Sequence, residues 1–206
     1  MTLHLGIDFD NTIICYDAVF HRVAREQGLI PETTPPTKEA VRDHLRATGR
    51  EEAWTELQGE VYGRRLREAA PFPGALAFLA AARREGIPLS IISHKTRHPY
   101  RGPAWDLHGA ALDWLAFMGF FDPEGLGLGR EAVHFSETKE GKLDRIRIEG
   151  CTHFLDDLPE ILLAPTFPEG TARLLFGAAR APHPDVHALP TWAQVAAYFA
   201  LGSAGG

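Results

Sequence analysis

Leu5-Gly6-Ile7-Asp8-Phe9-Asp10-Asn11-Thr12 is the stretch whose reading decides the fold. From Leu3 to Phe9 the chain is a short apolar run with β-branched Ile7, and it stops at acidic Asp8 and Asp10. An apolar run of that length ending on carboxylates predicts a buried strand whose carboxyl end meets a polar edge.

Working outward, the pattern changes at Tyr16. Up to Ala70 apolar residues recur at helical spacing, as Ala18-Val19 with Val23, Ala40-Val41 with Leu45, and Trp54, Leu57, Val61 and Leu66. Pro31, Pro35, Pro36 and Gly49 punctuate the stretch, so it reads as a small all-helical insertion. After Pro71-Phe72-Pro73-Gly74, residues Ala75 to Arg84 predict an amphipathic helix with Gly86 just past its end.

Leu89 to Ile92 predicts a second buried strand, and a loop rich in Arg, His, Pro and Gly runs from Ser93 to Pro103. A helix is expected from Ala104 to Met118, a strand over Ala132 to Phe135, a helix over Lys142 to Ile148 and a strand over Thr152 to Leu155. Leu158 to Leu163 reads as helical, Ala172 to Phe176 as a strand and Trp192 to Leu201 as a closing helix, with Gly202 to Gly206 expected to fray. Strands alternating with helices imply a parallel sheet with right-handed crossovers. The expected class is α/β: a doubly wound, Rossmann-like parallel sheet built from residues 1–15 and 71–206, with residues 16–70 as the helical insertion.

Composition narrows the function classes. The chain has 206 residues, enough for one core with a modest insertion. A formal net charge of −6 argues against general affinity for nucleic acid backbones, which depends on clustered Lys and Arg. The apolar stretches are too short or too mixed to span a bilayer. Met1-Thr2-Leu3-His4 lacks the basic start of a secretory signal, so a cytoplasmic location is expected. Cys15 and Cys151 are the only cysteines and form no ligand motif, which argues against a disulfide framework or a zinc site.

Ligands of open parallel sheets bind outside the carboxyl ends of the strands. Three predicted strand ends carry polar groups: Asp8 and Asp10, Ser93, and Asp156 and Asp157. Carboxylates at separate strand ends repel one another unless a cation lies between them. Magnesium suits such a set, because it takes hard oxygen ligands and commonly combines a few carboxylates with a substrate phosphate.

These residues resemble the signatures of the haloacid dehalogenase superfamily. Asp8, Asp10 and Thr12 after an apolar strand resemble its opening DxDxT, Ser93 its strand-closing Ser or Thr, and Asp156-Asp157 its acidic final signature, in the family's order. The resemblance implies that Asp8 attacks phosphorus to form an aspartyl-phosphate, and that Asp10 protonates the leaving oxygen and later activates water. It further implies that Ser93 binds a phosphoryl oxygen and that a lysine neutralises the phosphate and the nucleophile. Lys142 is favoured for that lysine because it opens the apolar-periodic run Leu143, Ile146, Ile148, with Lys139 as the competitor. Asp8, Asp10, Asp156 and Asp157 are the expected magnesium ligands, Asp10 through its backbone carbonyl; of the last two, Asp157 resembles the direct ligand more closely, with Asp156 acting either directly or through water. Asn11, Thr12, His94 and Lys95 are expected to bind substrate.

The basic cluster His94, Lys95, Arg97, His98 and Arg101 reads either as a second anion site or as a solvated loop. The helical insertion falls where the family places a cap, which implies a small phosphorylated metabolite as the ligand and neither nucleic acid nor membrane. The expected activity is magnesium-dependent hydrolysis of a small phosphomonoester. The alternatives are a phosphomutase, a dehalogenase, against which Asp10 argues, and a non-catalytic binding module on the same fold.

Overall fold

A computed structural model describes residues 2–201; the expected fraying of Gly202 to Gly206 lies outside the described residues. The chain divides into two compact units. One comprises the residues up to Ile14, Pro71–Lys95 and those from Gly119 onward, and the other comprises Cys15–Ala70 with Thr96–Met118.

The first unit is built on β1 (Leu5–Ile7), β4 (Leu89–His94), β5 (Val133–Ser136), β6 (His153–Asp156), β7 (Ala172–Phe176) and β8 (Val186–Leu189). They pair in the order β5-β4-β1-β6-β7-β8, every pair parallel. The sheet starts at its centre, grows to one side through β4 and β5, then returns to grow the other way from β6. The reversal leaves a crevice at the carboxyl ends of β1 and β6, where such sheets bind ligands. β1 is fully buried, as a strand covered on both faces must be.

Gly6 explains how β1 is so tightly enclosed. A Cβ there would lie 2.7 Å from Phe154 Cδ2 and 2.8 Å from Cys151 Sγ, so only glycine admits these neighbours. On one face, α6 (Lys139–Ile148) and α7 (Pro159–Leu162) bury Leu143, Ile146, Ile161 and Leu162 against Ile92, Phe154 and Leu175. Elsewhere in the unit α4 (Ala75–Arg84) packs on α8 (Trp192–Tyr198), with the Phe78 and Trp192 rings 5.2 Å apart. The Trp192 indole N–H donates to the Thr12 carbonyl at 3.0 Å and ties α8 to the turn after β1.

The second unit contains α1 (Asp17–Glu26), α2 (Lys38–Ala47), α3 (Glu51–Tyr62) and α5 (Leu107–Phe117). Its aromatic centre places Tyr16 4.9 Å from Tyr62 and Phe20 5.0 Å from Trp54. The Lys38 ammonium stands 5.6 Å from both tyrosine rings, a favourable cation–π distance. Strands β2 (Ile14–Cys15) and β3 (Ala70–Pro71) pair in a separate ribbon, at two of the four points where the chain passes between units.

Residues 96–118 are grouped differently from the expectation that placed them in the α/β core. They belong with the helices because Trp114 of α5 donates to the Ala69 carbonyl at 2.8 Å and is wholly buried there. Arg101 also pairs with Glu52 and Glu56 of α3, at 3.0 and 3.4 Å. Several element boundaries differ from the expected ones, two of them at site residues. α6 begins at Lys139 because Thr138 caps it by accepting from the Gly141 N–H at 3.0 Å, which puts Lys142 inside the helix. β4 runs on to His94 because its partner β5 extends to Ser136, so Ser93 lies within a strand. Among the described residues, no helix is long and apolar enough to cross a membrane.

Candidate active site

Asp8 follows β1 directly, and its backbone N–H donates to the Leu155 carbonyl of β6 at 2.8 Å. That bond fixes Asp8 beside Asp156, the last residue of β6, at the crevice where strand order reverses. The chain then turns sharply: the amides of Ile13 and Ile14 both donate to the Phe9 carbonyl. Asn11 takes the left-handed conformation at φ 55° that this turn requires and that asparagine tolerates better than most residues. The turn leaves Asp10 half-buried on the rim and Thr12 wholly buried.

Lys142 joins the two strand ends. Its ammonium lies 2.6 Å from Asp8 Oδ1 and 2.7 Å from Asp156 Oδ2, with all three side chains at most 5% exposed. Lys139, the competing lysine, instead extends to Glu160 at 2.6 Å, where both side chains are about half exposed. Burial pushes the Asp8 carboxyl up to about 7 against the opposing pull of Lys142, and Asp156 and Asp10 add to the rise. Burial alone would lower the Lys142 pKa, but the Asp156 and Asp8 carboxylates outweigh it and hold the ammonium charged.

Asp8, Asp156 and Asp157 each offer an oxygen within 4.8 Å of the others, a compact set of hard donors. Asp156 Oδ1 accepts from the Leu158 N–H at 2.9 Å, while its wholly buried Oδ2 meets the Lys142 ammonium at 2.7 Å and accepts no other hydrogen bond among the described residues. A buried carboxylate oxygen with unused acceptor capacity among other carboxylates fits a divalent cation such as magnesium.

A second pair lies alongside. The Lys95 ammonium is 2.9 and 2.8 Å from the two Asp10 oxygens, and the Ser93 hydroxyl donates to Asp10 Oδ2 at a long 3.4 Å. His94, on the opposite side of the strand from both, turns its ring to the Glu137 carbonyl at 3.2 Å. The Thr12 hydroxyl has no hydrogen-bond partner among the described residues. Asp8, Lys142, Asp156 and Asp157 thus gather in one cluster, with Asp10, Ser93 and Lys95 as a second group linked by hydrogen bonds. The remaining basic residues do not join them: Arg97 pairs with Asp106 at 3.2 Å, Arg101 with the α3 carboxylates, and His98 with the Trp105 carbonyl at 3.1 Å. The Lys95–Asp10 pair was not anticipated, since nothing in the spacing of Ser93, His94 and Lys95 distinguishes a lysine reaching a carboxylate from one reaching substrate.

No family model matches the sequence, and no curated protein matches it. Solved structures do match. A HAD-family hydrolase from Deinococcus radiodurans R1, with bound phosphate and sodium, superposes with a TM-score of 0.58 at 16% identity, covering 97% of this chain and 95% of that one. A HAD-superfamily hydrolase from Ehrlichia chaffeensis gives 0.55 at 12% identity over 97% and 98% of the two chains. The L-2-haloacid dehalogenase of Xanthobacter autotrophicus, with chloropropionic acid covalently bound, gives 0.53 at 12% identity over 97% and 99%. With the parallel six-stranded sheet, these similarities establish that the chain has the fold of the haloacid dehalogenase superfamily hydrolases.

Proposed function

We propose that the chain is a magnesium-dependent phosphohydrolase of the haloacid dehalogenase superfamily, acting on a small phosphomonoester through an aspartyl-phosphate on Asp8. The observation that carries this reading is the buried contact of Asp8 with Lys142 at the strand-order reversal, beside the Asp156 and Asp157 carboxylates. A chain of the same fold, that of Deinococcus radiodurans R1, has bound phosphate and sodium, which supports a site for an oxyanion and a cation.

An Asp8 oxygen attacks phosphorus, the bond from phosphorus to the ester oxygen breaks, and a proton from Asp10 goes to the departing oxygen. Water then attacks the aspartyl-phosphate, Asp10 takes a proton from it, and phosphate leaves with Asp8 restored. Lys142 sets its positive charge against the nucleophile and the phosphoryl oxygens, and Ser93 donates a hydrogen bond to the transferring group. Magnesium held by Asp8, Asp156, Asp157 and the Asp10 carbonyl would neutralise charge on the phosphoryl group. The helical insertion of residues 16–70 would act as a cap, which favours a small phosphorylated metabolite over nucleic acid or membrane, in the cytoplasm.

A dehalogenase is the second reading, because one of the similar structures is a haloacid dehalogenase. The four carboxylates Asp8, Asp10, Asp156 and Asp157 favour the phosphatase, since displacement of halide at carbon calls for no cation. The test is a phosphate-release screen over sugar, nucleotide, amino-acid and aryl phosphates, with and without chelator. Release that requires magnesium and is abolished in Asp8→Asn supports the reading; release surviving both the substitution and the chelator overturns the mechanism.

A further inference from the structure

Lys95 stands out because its charge is already committed. It is 5% exposed, at the carboxyl end of β4, and its backbone N–H donates to the Ser136 carbonyl at 2.9 Å, which fixes where the side chain starts. Its ammonium contacts both Asp10 oxygens at 2.9 and 2.8 Å and stands 5.6 Å from the Phe9 ring centre. The sequence suggested a substrate ligand, yet a buried ammonium engaged this way has little capacity left for an incoming phosphate.

The partner it holds is the unusual one. Asp10 is only two residues beyond Asp8, yet the compact carboxylate cluster comprises Asp8, Asp156 and Asp157 without it. Magnesium takes hard oxygen ligands, and an Asp10 carboxylate drawn onto the cation could no longer serve the leaving oxygen. Lys95 opposes that by offering both Asp10 oxygens a partner of its own. Four carboxylates set against two ammonium groups also leave an excess matched by one divalent cation, so Lys95 limits the negative charge gathered there.

We propose that Lys95 is a positioning residue whose ammonium holds the Asp10 carboxylate apart from the Asp8, Asp156 and Asp157 oxygens, keeping it out of the cation's ligand shell and available for proton transfer. This deepens the metal-dependent reading above and rests on it.

Manganese(II), a spectroscopic substitute for magnesium, tests this without turnover. It is titrated by electron paramagnetic resonance into the wild-type chain, Lys95→Met, Asp10→Asn, the double variant and Lys95→Arg. Lys95→Met is expected to bind Mn2+ about tenfold more tightly with an altered spectrum, as an added carboxylate ligand requires. The gain is expected to vanish when the double variant is compared with Asp10→Asn, and Lys95→Arg is expected to restore wild-type binding. An unchanged affinity and spectrum in Lys95→Met overturns the proposal, as does an equal gain in the Asp10→Asn background, which would make Lys95 a remote charge. Lys95→Gln, checked for folding by circular dichroism, replaces Lys95→Met if that variant is unstable.

On an ester that the wild-type chain hydrolyses, Lys95→Met is expected to lose kcat with KM within about twofold. A raised KM with kcat retained would make Lys95 a substrate ligand and overturn the proposal. A wild-type chain that hydrolyses no ester removes the hydrolase reading and leaves the Mn2+ comparison to decide on Lys95. A wild-type chain that takes up no Mn2+ removes the proposal together with the metal site.

Discussion

Lys142 holds its ammonium 2.6 Å from Asp8 Oδ1, in a contact where the two side chains are 1% and 5% exposed. The ammonium is shared with Asp156 Oδ2 at 2.7 Å, so a single positive charge answers two buried carboxylates. Removing it strands both. Lys142→Met is therefore expected to lose about 3–5 kcal/mol of stability, the usual cost of breaking a buried ion pair from one side. Without the ammonium the Asp8 carboxyl, already pushed up to about 7 by burial, would rise further, so the loss grows as pH rises through about 7 and is smallest in acid. Urea unfolding at pH 5.5 and pH 8 measures it, and equal losses at the two pH values would contradict this account. Lys139→Ala, which removes only the exposed pair with Glu160, is expected to leave turnover within about twofold.

Asp8 and the cation are linked through protons. The carboxyl is pushed up to about 7 from an ordinary 3.8, chiefly by burial, so the folded group binds its proton more tightly than the unfolded one does. In the metal-free chain this contribution is absent below about 3.8 and becomes fully destabilising above about 7. A cation must displace that proton, so magnesium is expected to bind on the order of tenfold more weakly at pH 6 than at pH 8. Thermal unfolding with and without magnesium at the two pH values checks the sign. A larger magnesium-induced rise in Tm at pH 6 would mean that Asp8 is not a ligand.

Gly6 supports the site from below. The Cβ of Gly6→Ala would meet Phe154 Cδ2 at 2.7 Å and Cys151 Sγ at 2.8 Å, neither of which can withdraw from a packed core. A loss of about 1–3 kcal/mol in denaturant unfolding is expected, typical of overpacking. Turnover should fall with it if β1 shifts, because Asp8 is the next residue but one. A neutral effect on both would show that the core around β1 yields more readily than its burial implies.

Much of the fold was legible because its signals are local. The expected helix over Ala75 to Arg84 matches α4 at both ends, since Gly74 and Gly86, both at positive φ, bound a periodic apolar run. The expected strand over Ala172 to Phe176 matches β7. β8 was missed: Val186-His187-Ala188-Leu189 is short and carries a polar residue, and it becomes a strand only because the edge of β7 is there to pair with it. The start of α6 was misplaced because the Thr138 cap precedes the apolar periodicity by several residues. The grouping of Thr96–Met118 with the helical unit depends on long-range partners such as Ala69, Glu52 and Glu56, which local periodicity does not encode.

The same division runs through the site. From the sequence alone came the class of fold, the carboxyl-end positions of Asp8, Asp156 and Asp157, and the expectation of a hard divalent cation, because hydrophobic periodicity and residue chemistry are properties of neighbouring residues. Only the tertiary structure decided which lysine meets Asp8 and what Lys95 holds. Lys139 and Lys142 are three residues apart on one helix, and the direction in which each leaves it depends on how α6 lies against the sheet. Packing sends one to Asp8 and Asp156 and the other to Glu160, just as the parallel pairing of β4 with β1 brings Lys95 to Asp10 across more than eighty residues of chain.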